Sequence, residues 1–223
     1  GIGTSALAAL TTGANNLAVG YQAADAITTG ANNTVVGKSA LGSAADDESG
    51  NVAIGNSALD VAKQDGTVSA TNREVKNNVA IGLNALYGGT LTGTNHLEGC
   101  VAIGKDAMDA TGANNQTGTI AIGQQSLTSL TSGLRNTSVG HQSAYYNATG
   151  SDSTYLGHWA GSGGAGNHSN NTGVGSSALG LVTSGSDNVA IGKDAGDSIT
   201  TCAKTVLIGT DAGQAITVTG GSN

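Results

Sequence analysis

The sequence predicts an all-β chain, a parallel β-roll built from about twelve coils of roughly seventeen residues. Three observations predict it. A glycine preceded by Val, Ile or Leu recurs at Gly3, Gly20, Gly37, Gly55, Gly82, Gly104, Gly123, Gly140, Gly157, Gly175, Gly192 and Gly209, with seventeen as the commonest spacing. The residues before each glycine alternate with period two, which is the side-chain period of a strand. The composition is also wrong for an ordinary core: 223 residues contain 37 Gly, no Pro, no Phe, one Trp and one Met, with only 10% charged. Such a chain has few large side chains to bury, so each unit must find its partner in the next copy.

Each element of the coil follows from a column of this repeat. In "NVAIG" (Asn51–Gly55, Asn188–Gly192) the branched residues fall on one face and Ala on the other. The branched face is expected to point into the roll. The Ala face is expected to pack against identical chains, best in a three-fold bundle. The Gly ends the strand where positive φ or close backbone approach is needed. Two polar residues form a turn, and "AL" is expected to begin a second short strand. "TTGANN" supplies the other turn, because Gly and Asn tolerate left-handed backbone. Asn stands four before the Gly in seven of the eleven copies that extend that far. The whole chain, 1–223, reads as a single repeat solenoid. It opens on "GIGTSAL", the middle of a repeat, which points to a piece of a longer fibrous chain, with any signal or anchor outside it.

Composition narrows the function. The net charge is −7 and the eight Lys and Arg are scattered, whereas a phosphate-tracking surface needs them clustered; no nucleic-acid partner is expected. No run of eighteen apolar residues is present, so no membrane insertion is expected in this segment. Cys100 and Cys202 form no motif and read as buried thiols. No Ser stands in a strand–turn–helix nucleophile context. "GSGGAG" leads into another strand and opens no helix, so it is no phosphate loop. No enzyme activity and no cofactor are expected.

The repeated phrases carry a resemblance. "NVAIG" followed by "xxAL" resembles the head repeat of trimeric autotransporter adhesins, the YadA-like head. "NNTVVGKSAL" and "NNLAVGYQA" are similar to repeats of bacteriophage tail-fibre proteins. Both resemblances span essentially the whole chain, and both imply a left-handed parallel β-roll with three chains to a rod. The adhesin repeat is shorter, near fourteen residues; the "TTG" in the extra turn leans toward the phage type. The resemblance implies an extracellular homotrimer that attaches a particle to a host-surface receptor, with glycans among the candidates. The head of a bacterial adhesin and a purely structural filament are the alternatives. A glycan-cutting enzyme on a phage tail would need wider coils and paired carboxylates, which the sequence does not display.

Specificity is expected where the phrase breaks, at 60–77, 87–99 and 141–160. Longer loops are expected at 60–77, with Lys63, Arg73 and Lys76, and at 87–99, with Tyr87; insertions in a solenoid gather on one face. A tolerated insertion is the plainer reading. Tyr145, Tyr146, Tyr155, His158 and Trp159 concentrate aromatic surface in an otherwise aromatic-poor chain. They suit sugar rings or apolar partners, or local packing between chains, Tyr155 standing where the inter-chain face usually has Ala. His141 and His158 occupy equivalent positions in consecutive coils and are weak metal candidates, since two His make an incomplete site; Asp194 and Asp211 are equally weak for Ca²⁺. Sequons at Asn32, Asn136, Asn147 and Asn170 arise from turn chemistry and read as unmodified.

Overall fold

The computed structural model describes residues 1–43, 48–63, 74–91, 95–111, 114–164, 166, 168–214 and 216. Among them every regular element is a β-strand, and every strand pairing is parallel. The chain divides into two compact units, Gly1–Gly118 and Thr119–Asn223, and each is a parallel β-solenoid.

In the first unit, β1 (Leu17–Val19), β2 (Thr34–Val36), β3 (Val52–Ile54), β6 (Val79–Ile81) and β9 (Val101–Ile103) stack in that order. The register is strict: Ala18 faces Val35, Val35 faces Ala53, Ala53 faces Ala80 and Ala80 faces Ala102. In the second unit, β11 (Ile120–Ile122), β12 (Thr137–Val139), β13 (Thr154–Leu156), β14 (Thr172–Val174), β15 (Val189–Ile191) and β16 (Val206–Ile208) form the corresponding ladder. The two irregular segments of the first unit partly continue this stacking. β4 (Val61–Lys63) pairs with β7 (Gly88–Leu91). β5 (Val75–Lys76), β8 (Leu97–Glu98) and β10 (Gln116–Thr117) make a three-stranded sheet. The described parts of the expected loops 60–77 and 87–99 therefore include wall, at 61–63, 75–76, 88–91 and 97–98, where one long coil stacks on another; 64–73 and 92–94 lie outside the described residues.

The glycine column behaves as its position demands. Gly20, Gly37, Gly55 and Gly82 have φ of 141°, 143°, 137° and 134°. A Cβ on Gly82 would come within 2.6 Å of the Gly104 carbonyl oxygen. The residue five before each glycine is left-handed, as at Asn15, Asn32 and Asn77, with φ near 60°, so the second Asn of "NN" is preceded by the residue that turns the chain.

Two expectations are corrected. "AL" does not begin a second strand. Leu7, Leu41, Leu59, Leu86, Leu127 and Leu179 have φ between 49° and 57°, inside a continuous turn. The stacking hydrogen bonds impose this. In the Gly55 coil, the Ser57 amide donates to Lys38 of the coil before, and the Leu59 amide donates to Ala85 of the coil after. Alternating backbone handedness aims successive amides up and down the stack.

The second correction concerns the faces of the strand. Ala18, Val35, Ala53, Ala80, Ala102, Ala121 and Ala190 are fully buried inside the chain. The branched aliphatics point outward, and Ile54, Leu156 and Ile191 are 37–40% exposed. The reason is volume. Turn residues Leu41, Leu59, Leu86, Met108, Leu127 and Leu179 fill the interior from the other side, so the strand has room there for little more than a methyl.

A buried polar ladder closes the coil. Asn33 Nδ2 donates to the Glu48 carbonyl at 2.7 Å, and Asn33 Oδ1 accepts the Asn51 amide at 3.0 Å. Asn51 repeats the pattern on Val75 and Asn78, and Asn78 repeats it on Leu97 and Cys100. In the second unit Asn136, Asn171 and Asn188 do the same. Ser153 replaces Asn by donating to His168 and accepting from Asn171. Each side chain thus satisfies two backbone groups that water cannot reach.

Candidate functional site

The break at 141–160 lies within the second unit. His141 and His158 follow their glycines directly, in adjacent coils, and both project from the turn. Their rings stack, with centroids 5.4 Å apart and planes 12° apart. Trp159 comes next, with its ring 5.7 Å from His158 and tilted by 31°. Its backbone is left-handed, φ 60°. Its Nε1–H donates to Gln142 Oε1 at 2.5 Å, and Gln142 Nε2 donates to Gln125 Oε1 at 3.0 Å. A hydrogen-bonded ladder across three coils therefore fixes the indole, which stays 47% exposed. At the far end of the turn, Tyr145 and Tyr146 meet edge to face at 4.6 Å, with Tyr146 half exposed.

Tyr155 does not belong to this surface. It stands in the inward row, fully buried, so it faces neither a neighbouring chain nor a receptor. Its hydroxyl shares a 2.9 Å hydrogen bond with His168 Nδ1. Burial pushes the phenol up to about 12 and the His168 imidazole down to about 4. The ring fits because Gly161 and Gly173 lie against it; a Cβ on Gly161 would overlap the Tyr155 ring. Leu207, the other large residue of the inward row, has Gly213 and Gly196 in the same relation, with would-be Cβ contacts of 2.6 and 3.0 Å. Glycine in the turn thus compensates bulk in the strand.

The metal candidates do not assemble a site. Imidazoles in nearly parallel planes direct their lone pairs side by side and do not converge on one ion. Among the described residues no group of three or more His, Cys, Asp or Glu could hold a metal. Asp194 pairs with Lys193 instead.

The other candidate surface, in the first unit, is sparser. Lys76 Nζ pairs with Glu74 Oε1 at 2.9 Å, and Tyr87 is exposed. Lys63 contributes backbone to β4; its side chain and the whole of Arg73 lie outside the described residues. Elsewhere in this unit a shallow cavity of about 140 Å³ is lined by Gln22, Asp25, Ser39, Gly42, Ser43 and Asp60. Burial, with Asp60 adding to it, holds the Asp25 carboxyl above the ordinary range, but Asp60 is already engaged by the Ser43 amide. Of the sequons, Asn136 and Asn147 are fully buried, which removes them as attachment points for sugar.

Sequence reasoning missed Gln125, Gln142, Gly161 and His168. The signal for the first two was available: they sit seventeen residues apart, and Trp159 is seventeen further on. His168 falls in an eighteen-residue coil, where a residue takes the place of the glycine that regular coils have there.

No protein-family model matches this chain, and no curated protein or solved structure matches it.

Proposed function

We propose that this chain is a segment of a homotrimeric, left-handed β-roll fibre of about twelve coils, carried outside the cell on a bacteriophage tail and used to attach to a host. The observation that carries the reading is the apolar outer row of the ladder, half-buried along most of its length and exposed at Ile54, Leu156, Ile191 and Ile208. It comprises Val19, Val36, Ile54, Ile81 and Ile103 in one unit, and Ile122, Val139, Leu156, Val174, Ile191 and Ile208 in the other. Soluble monomers rarely leave such contiguous apolar surface open. Its cover is a second copy of the same row, because the row repeats once per coil and only an identical ladder repeats in step with it. This replaces the Ala face as the inter-chain surface, since that face is consumed inside each roll. The "TTG" turn and the seventeen-residue period favour the phage fibre over a bacterial adhesin head, for which the same ladder would serve.

Three chains would present each surface site three times, so weak contacts would sum to firm attachment. Sedimentation equilibrium tests the assembly. The wild-type mass should be three times the 21.5 kDa of one chain. Ile54→Asp with Ile191→Asp should give monomers of unchanged circular dichroism, because carboxylates brought together without counter-charges are costly to bury. A monomeric wild type, or a trimer in both proteins, would overturn the reading.

A further inference from the structure

We propose that the turn carrying Trp159 is a carbohydrate-binding platform, with the indole face as the stacking surface for a neutral pyranose. This rests on the attachment reading above and names the chemistry of the ligand.

Trp159 occupies a position that other coils give to small or polar residues: Ser39, Ser57, Asn84, Gln125, Gln142, Ser177 and Asp194. All of these are left-handed there, with φ of 52–58°. Such a φ disfavours a bulky side chain, and because stacking imposes it on every coil, it is the residue type at 159 that departs from the repeat. Only part of Trp159 is buried in return. Its backbone amide bonds to His141, as its counterparts bond to theirs, and nearly half of the residue remains in solvent.

What the surroundings do is orient it. The Gln125–Gln142–Trp159 ladder consumes the indole N–H, so the polar edge is spent on the protein and the π-face is what remains to offer. An aromatic held in place before binding loses little entropy on binding. His158 and His141 extend the strip across the coils, adding donors and acceptors at its rim.

A pyranose matches this arrangement. One of its faces is a sheet of C–H bonds and its rim is hydroxyls. The C–H face suits the indole, and the hydroxyls suit imidazole and amide groups. Coils spaced about 4.8 Å apart also set the platform's repeat near the width of one sugar ring. Other aromatic-stacking ligands fit less well. Nucleic acid needs a basic groove tracking the backbone, and this chain has eight Lys and Arg and a net charge of −7. A quaternary ammonium wants a cage of rings, and these rings lie in one row. The negative charge also selects neutral over acidic sugars.

Trp159 is the only Trp, so its fluorescence reports this site alone. The experiment titrates the full chain with neutral oligosaccharides of glucose, galactose and N-acetylglucosamine under tryptophan-selective excitation. Calorimetry on the same solutions compares wild type, Trp159→Ser, Trp159→Tyr and His158→Ala. We expect a saturable emission change with at least one oligosaccharide, loss of binding in Trp159→Ser, retention in Trp159→Tyr, and about tenfold weakening in His158→Ala, the scale of one aromatic contact. Trp159→Ser installs the residue that Ser177 already is one coil on, and unchanged circular dichroism confirms its fold. No saturable change with any oligosaccharide, or equal binding by Trp159→Ser, would overturn the proposal. The sedimentation mass separates the two readings: a trimer without sugar binding sinks only this inference, and a monomer sinks the fibre.

Discussion

Asn51→Ala tests what the repeated Asn is for. Asn51 is fully buried. Its Nδ2 donates to the Val75 carbonyl at 2.8 Å, and its Oδ1 accepts the Asn78 amide at 3.0 Å. Truncation to Ala orphans both backbone groups. The side chains of its neighbours do not add to the loss, because Asn78 Nδ2 keeps Leu97 and Asn33 Oδ1 keeps the Asn51 amide. Each buried, unsatisfied backbone group costs about 1–3 kcal/mol, so the pair should cost about 4 kcal/mol. That is a large part of the 5–15 kcal/mol typical of a folded domain. Asn51→Ser should cost about half as much, because Ser153 already performs both tasks at the equivalent position. Asn15→Gly is the control: it changes an exposed, left-handed Asn one column away and should fall within about 0.5 kcal/mol of wild type. The assay is urea unfolding followed by circular dichroism, at one fixed protein concentration because association contributes to apparent stability. A loss below about 1 kcal/mol for Asn51→Ala would refute the ladder as a structural requirement.

Three further outcomes are expected. Gly37→Ala should leave the protein misfolded or insoluble, since φ is 143° and the new Cβ would overlap the Gly55 carbonyl; soluble yield and circular dichroism check it. Gly161→Ala should be destabilising through its overlap with the Tyr155 ring, and Tyr155→Ala should rescue it, so a double-mutant cycle should show strong positive coupling. Acid should reveal His168. Its folded value, about 4, lies below the ordinary 6.5, so the unfolded chain binds more protons between these values; the stability held above pH 6.5 is lost as pH falls toward 4, up to about 3 kcal/mol. Asp109 acts oppositely in part of this window, its carboxyl raised to about 6 by burial and then by Asp106, so the readout is the difference between wild type and His168→Gln, whose advantage should grow from pH 7 to pH 4.5.

The ladder was legible because its causes are local. Glycine at φ above 120° and Asn at φ near 60° are residue-type requirements, so the columns at Gly37 and Asn32 announce the turn at each end of β2 directly. The facing of the strand was not legible. Period two in "VAI" separates two faces but does not say which is inside; that depends on how much interior Leu59 and its equivalents have already filled. Leu in a left-handed turn was hidden as well, because stacking amides impose it against the residue's own preference. Tyr155 misled for a third reason. A large side chain in a small-residue column reads as surface until Gly161, six residues on, is seen to make room for it. At the platform, the aromatic cluster was visible in composition, but its order was not, because the Gln ladder that orients Trp159 exists only once coils are stacked.

In the proposed trimer the branched row of each ladder, and not its Ala row, meets the other chains. Cysteine cross-linking tests it most directly. In a chain carrying Cys100→Asn and Cys202→Gly, which restore the commonest residues of those two repeat positions, one cysteine is placed at Val36 or Ile54 in the outer row, or at Lys38 on the exposed turn. Disulfides form only where Cα atoms approach within about 7 Å. Oxidation should link Val36→Cys and Ile54→Cys chains into pairs, leaving one chain in three unlinked because three thiols meet and only two can join, while Lys38→Cys stays monomeric on denaturing gels. Equal cross-linking at all three positions, or none in the outer row, would contradict the account.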